Sequence, residues 1–236
     1  MFAFAFVWPW IGLGAAGLLL ILLTTNALRS DRSVTRWRDM TWLTWAVTCA
    51  YLVHQFEEHG IDAQGAAYAF RAAMCTQLGL GDPQACAVPY LFITAVNVTV
   101  VWVAGPVSAL LASRWPVIGL SLFAVPFANL FAHAVPAAMT GEYNPGLVTA
   151  LVLFLPLSLI AFAAAVTRYH LGFRAVLATV VAGAALHAIM MGSLMGYLRG
   201  SIGPDALIAI QIVNPLVSAL IVVLGAGRRS VRRFAT

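Results

Sequence analysis

Long apolar runs separated by short polar breaks make up almost the whole chain. Seven runs reach the roughly 20 residues a helix needs to cross a bilayer. They lie near residues 3–28, 41–60, 88–112, 116–138, 146–167, 175–198 and 205–226. The breaks read "RSDRSVTRWRD", "SRWP", "TGEYNPG", "HLGFR" and "RGSIGP", the arginine, glycine and proline punctuation that ends helices. No internal repeat divides the chain. The pattern predicts an all-α, polytopic membrane helix bundle of seven spans, one domain over residues 1–236.

Composition excludes a soluble alternative. The 236 residues are 62% hydrophobic and 9% charged, against about a quarter charged in soluble domains. Mean hydropathy is +0.92. The opening "MFAFAFVWPWIG" lacks a basic segment and reads as a retained first span, not a cleaved signal peptide.

A net charge of +5 raises the question of nucleic acid, and the placement of the charge answers it. All 13 basic residues are arginines, clustered between apolar runs. With the N-terminus outside, one face holds Arg29, Arg32, Arg36, Arg38, Arg114, Arg168, Arg174, Arg228, Arg229, Arg232 and Arg233. The other holds Arg71 and Arg199. Such asymmetry is a topology signal, predicting N-out and C-in in the cytoplasmic membrane of a prokaryote. Trp37, Trp42 and Trp115 then fall at the inner boundary and Trp8 and Trp10 at the outer, as interfacial anchors would. Ile61 to Ala87 becomes an outer loop containing Cys75 and Cys86. These are either two free thiols or a disulfide adding roughly 3 kcal/mol, while Cys49 lies mid-span as packing. The stretch "AQGAAYAFRAAM" predicts a short surface helix able to act as a lid.

Residues 54 to 59, "HQFEEH", break the apolar rule. On a helix His54, Glu57 and Glu58 share a face, while His59 points away as an interfacial cap. His54 is sixteen residues beyond Arg38, roughly 24 Å along the axis. Other spans bring polar groups to a similar height: Asn97 on the third, Asn129 and His133 one turn apart on the fourth, His187 on the sixth, Gln211 and Asn214 on the seventh. Single amides or histidines at such depth usually bond between helices. Pro126 and Pro215 mark kinks, and Gly192 with Gly196 forms a helix-packing pair.

Two adjacent carboxylates need more. Each costs at least about 2.5–3.5 kcal/mol at the helix centre when ionised, and no arginine lies at their height. Protons, protonated histidines or a divalent cation must neutralise them. A metal reading has His54, Glu57, His133 and His187 holding zinc or iron. Glu58 then moves a proton, and Asn97 and Asn129 orient ligands. The spacing matches neither H-E-x-x-H nor H-x-x-E-H. A metal-free reading uses Glu57 or Glu58 as the acid of an isomerase or terpenoid cyclase. A third reading is a proton or metal-ion transporter, against which the cytoplasmic halves of the spans are dry. Tyr143 at the outer mouth can offer a hydroxyl, and Arg71 and Arg199 are candidates for an anionic head group. All three readings place a polar site in the outer half of the bilayer; the two enzymatic ones expect a lipid-like substrate from the membrane.

"HQFEE" at His54 to Glu58 resembles the motif of the HXXEE family of small integral membrane proteins. The likeness continues through Asn97, "NLFAH" with Asn129 and His133, and "EYNPGLVTALVLFLP", similar to that family's Y-x-P-G-L segment. It covers roughly residues 45–165. The resemblance implies an active site at His54, Glu57, Glu58 and His133, and names no substrate.

Overall fold

The computed structural model describes residues 2–227; the four arginines from 228 onward lie outside them. Among the described residues the regular structure is helical. We number the helices α1 (Phe2–Thr24), α2 (Met40–His59), α3 (Phe70–Gln77), α4 (Tyr90–Ala112), α5 (Pro116–Thr140), α6 (Leu147–Thr167), α7 (Gly172–Leu198) and α8 (Pro204–Ala226). Six of them, all but α2 and α3, are long and apolar enough to cross a membrane.

Local chemistry sets the ends. Asp39 caps α2, its carboxylate accepting from the Thr41 and Trp42 amides. The same carboxylate accepts from Ser30 and the Asp31 amide, tying the preceding loop to the helix start. Proline at the first turn opens α5 and α8, where its missing N–H costs nothing. α4 and α6 each widen into a π turn, over Val98–Ala104 and Ala150–Phe154. Each π turn ends two residues before a proline, Pro106 and Pro156. Proline lacks the N–H and crowds the carbonyl four residues back, so the ladder opens there. α5 is interrupted at Phe123, shortly before Pro126, and Pro215 lies inside α8.

α2 is the central helix. It packs against α1, α4, α5 and α6 and is buried along nearly its whole length. Its neighbours screen it, so it carries more threonines, histidines and glutamates than the helices around it. For that reason the span expected at residues 41–60 is not among the six helices that are apolar enough by composition. Leu43, Leu120, Phe123 and Phe154 fill the core around it. α7 packs on α8 and α5.

Several expectations change on this frame. Trp8 is fully buried against the His59 ring, and Trp42 is buried with its indole donating to the Leu23 carbonyl, so neither is a plain anchor. Trp10 and Trp37 are exposed. Close helix approach on α7 occurs at Gly183, where a Cβ would run into the Ala124 carbonyl. At Gly192 a Cβ would meet open space, so the Gly192/Gly196 pair does not pack helices. Cys75 and Cys86 form a disulfide, with Cα atoms 5.7 Å apart. It fastens α3 to the segment before α4, and Cys49 is buried and free.

Candidate functional site at the end of α2

The last turn of α2 meets α5 and the start of α6 around one carboxylate. Glu58 Oε1 lies 3.5 Å from His54 Nε2 and 3.2 Å from His133 Nε2. Its other oxygen is 3.3 Å from His59 Nε2. All four residues are buried. One ligand atom from each of His54, Glu58 and His133 falls within 4.8 Å of the others.

The hydrogen bonds orient both rings. Thr149 Oγ1 donates to Glu57 Oε2, so it accepts from His54 Nδ1 at 2.7 Å. Asn129 Nδ2 donates to His54 Nε2 at 2.9 Å. Asn144 Nδ2 donates to the His133 carbonyl, leaving Asn144 Oδ1 to accept from His133 Nδ1 at 2.7 Å. Both histidines thus carry a proton on Nδ1 and turn Nε2 toward Glu58 Oε1, where His54 Nε2 also meets the Asn129 amide. His133 Nε2 is buried with no hydrogen bond.

Glu57 has a different setting. Its carboxylate accepts from the Val148 and Thr149 amides, from Thr149 Oγ1 and from the Tyr143 hydroxyl. Those amides belong to the first turn of α6, whose N–H groups have no partner inside their own helix. Glu57 therefore caps α6 from a neighbouring helix, with its charge at the positive end of the dipole. Burial raises the Tyr143 phenol well above its usual range, helped by the Glu57 carboxylate, so it stays a donor.

Gly146 closes the assembly. It holds φ +98, and a Cβ there would sit 2.6 Å from His133 Cε1, 2.9 Å from His54 Cε1 and 3.0 Å from Glu58 Cγ. Only a residue without a side chain lets this turn lie against the cluster.

Residues 45–161 match the family model described as a protein of unknown function with HXXEE motif. Over that stretch the chain is an HXXEE-motif protein. No curated protein and no solved structure matches it. The motif residues divide by role. The histidine and second glutamate of HXXEE, His54 and Glu58, converge with His133, while the first glutamate, Glu57, holds α6.

The remaining sequence candidates fall in several places. Asn129 joins the cluster through His54. Asn97 contacts His59 at 3.2 Å and is held by Gln55, which accepts from Trp102. His59, expected to point away, turns onto Glu58 instead. The long Glu58 side chain bends to a histidine that the helical wheel sets apart. His187 stays outside the three-residue group, its Nδ1 bonded to the Gly183 carbonyl of its own helix. Gln211 bonds Ser193 and Asn214 bonds the Leu186 carbonyl, which makes them links between α7 and α8. Arg199 is exposed at the end of α7, and Arg71 lies on α3. Gln55, Asn144, Gly146 and Thr149 were not among the sequence candidates, although the last three follow directly from "YNPGLVT".

Two neighbouring cavities adjoin the cluster. One of about 70 Å³ is lined by Glu58, His59 and Asn97, the other, of about 170 Å³, by His133, Asn129 and Asn144. Both are walled by Phe70 and Met74 of α3, by His187, and by Met190 and Met191 of α7. α3 therefore covers the apolar side of the site.

Proposed function

We propose that this HXXEE protein is an integral membrane enzyme whose His54, Glu58 and His133 hold a divalent metal, zinc or iron, beside a cavity for a lipid-like substrate. One observation supports this above the rest. Two histidine Nε2 atoms and a carboxylate oxygen converge, 3.2 and 3.5 Å apart, with no arginine among them. A buried carboxylate beside two such nitrogens is balanced by a metal ion or by a proton on one of them. A tetrahedral site with bonds of 2.0–2.1 Å has edges of roughly 3.3–3.4 Å, close to the two histidine–glutamate separations, and all three donor atoms lie within 4.8 Å of one another. The outward Nδ1 bonds to Thr149 and Asn144 are the supports that ligating histidines use.

When bound, such a metal supplies Lewis-acid activation of water or substrate. His59, on the free oxygen of Glu58, is the group placed to relay a proton, and Asn97 holds its ring. The Asn129 amide meets His54 Nε2, a contact that a bound metal would replace. The Phe70 and methionine walls exclude water and suit an apolar chain.

α2 serves as a seventh span in this reading. The N-terminus and the mouth of the site then face outward across a prokaryotic cytoplasmic membrane, with the clustered arginines inside. A second reading keeps the cluster and replaces the metal with a proton. Glu58 is then the acid of an isomerase or cyclase, and Phe154, 4.5 Å from His54 between ring centroids, supplies an aromatic wall.

Elemental analysis of the detergent-purified protein separates the two. About one equivalent of zinc or iron that disappears in Glu58→Gln and in His133→Ala supports the metal enzyme. Absence of metal from correctly folded wild type, with loading refused on titration, sinks it and directs work to isoprenoid substrates.

A further inference from the structure

A cavity larger than the two at the histidines lies elsewhere on the molecule. A groove of about 420 Å³ runs between the start of α1, the segment before α4 and the end of α7. That volume lies within the range of about 300–1,000 Å³ typical of ligand sites. Phe4, Leu91 and Val88 make its walls apolar, and Tyr90, Tyr197 and Arg71 supply its polar groups.

Arg71 is held as a fixed cation. Its Nε donates to the Val88 carbonyl at 2.8 Å, one terminal nitrogen donates to the Cys86 carbonyl, and the guanidinium lies 4.3 Å over the Tyr90 ring. The Cys75–Cys86 disulfide fastens the strip that provides those carbonyls. Among the described residues no carboxylate forms an ion pair with Arg71, and the other terminal nitrogen makes no hydrogen bond. An oriented guanidinium with an unspent charge stands at an apolar groove. A narrower void of about 20 Å³ shares Arg71, Tyr90 and Thr94 with the groove and reaches His59, so the groove backs onto the last turn of α2.

We propose that this groove binds an anionic phospholipid, with one acyl chain along Phe4 and Leu91 and the phosphate on Arg71. Guanidinium matches phosphate geometry and charge, and the chain takes the apolar wall. The site holds whether or not the histidine cluster binds metal.

Phosphatidylglycerol with a diazirine in its acyl chain, in nanodiscs containing the full chain, tests this by photolabelling and peptide mapping. Label should concentrate on residues 87–94 and the start of α1, and exceed severalfold the label from a phosphatidylcholine probe with the same chain. Arg71→Gln should remove that preference for phosphatidylglycerol. Because Arg71 also holds its strip of chain, Leu91→Trp provides a second test. It fills the groove from an exposed position, leaves Arg71 untouched, and should reduce labelling severalfold for both probes. Equal labelling by the two lipids, label spread evenly over the lipid-facing helices, or displacement by inorganic phosphate would overturn the proposal.

Discussion

Glu57 and Thr149 are joined twice: Oε2 of the carboxylate accepts from the Thr149 amide at 2.8 Å and from its hydroxyl at 2.5 Å. The same hydroxyl accepts from His54. A structural carboxylate and a candidate ligand are thus coupled through one side chain, so substitutions at Glu57 and Glu58 should have different consequences.

Glu57→Gln removes the charge that caps α6 and one of its acceptor oxygens. Charge-assisted hydrogen bonds and the dipole together put the loss at about 2–4 kcal/mol. Thermal unfolding in detergent should show that loss, and protein that remains folded should retain most of its metal. Glu58→Gln should do the reverse, losing metal with a smaller change in stability. Equal metal loss in the two would contradict the division of roles.

Thr149→Val keeps the backbone amides on Glu57 and removes the acceptor for His54 Nδ1. Loss of such a support typically costs 10–100-fold in metal affinity. Competition titration with a chromophoric chelator should reveal a drop of that order. An unchanged affinity would mean that the Nδ1 bond to Thr149 does not support His54 as a ligand.

Gly146→Ala introduces a methyl against both histidine rings at a φ that L residues rarely adopt. Strain and overpacking together cost about 2–4 kcal/mol. Metal content should fall with stability, because the turn cannot move off the rings without releasing Asn144 from His133.

How much of this was legible in the chain follows from what periodicity can encode. The shared face of His54 and Glu58, and the pairing of Asn129 with His133, follow from helical spacing, and their common height follows from counting along each span. His59 was misplaced because a wheel describes Cα directions, and Glu58 is long enough to bend to it. Counting along the chain sets His187, Gln211 and Asn214 at a similar height, but height does not say which neighbour a helix face meets. There, α7 and α8 turn to each other. Asn144 and Gly146 were hidden by a sound local signal: "YNPG" does make the turn, and the turn itself packs on the site. The central helix was recognised as apolar, yet its burial is what permits its polar load.

Away from the histidine cluster, Asp31 and Arg168 form an ion pair at 2.6 Å that ties the loop after α1 to the end of α6. Hydrogen bonds from Ser33 and then Arg168 lower the Asp31 carboxyl to about 2. A carboxylate with a depressed value stabilises the fold above its unfolded value, near 3.9, and loses that contribution as pH falls through about 2. Arg168→Gln should therefore unfold more easily than wild type at pH 5, by a small margin given the exposure of Asp31, and the difference should shrink as the pH approaches 2. A gap that widens on acidification would reject the pairing.

Topology is open to a direct chemical test, since the seventh span depends on α2. Its 20 residues are long enough to cross, and burial by α1, α4, α5 and α6 removes the need for an apolar exterior. If α2 spans, Gln64 in the loop after it and Arg32 in the loop before it lie on opposite sides. In a Cys49→Ala background, Gln64→Cys should react with a membrane-impermeant maleimide in intact cells, and Arg32→Cys only after permeabilisation. The positive-inside rule assigns the arginine-rich loop to the cytoplasm, which fixes the direction of the asymmetry. Reaction of both in intact cells would return α2 to one side of the membrane. The charge-rich turn at His54 to His59 would then lie at an interface, where ionised glutamates need no metal.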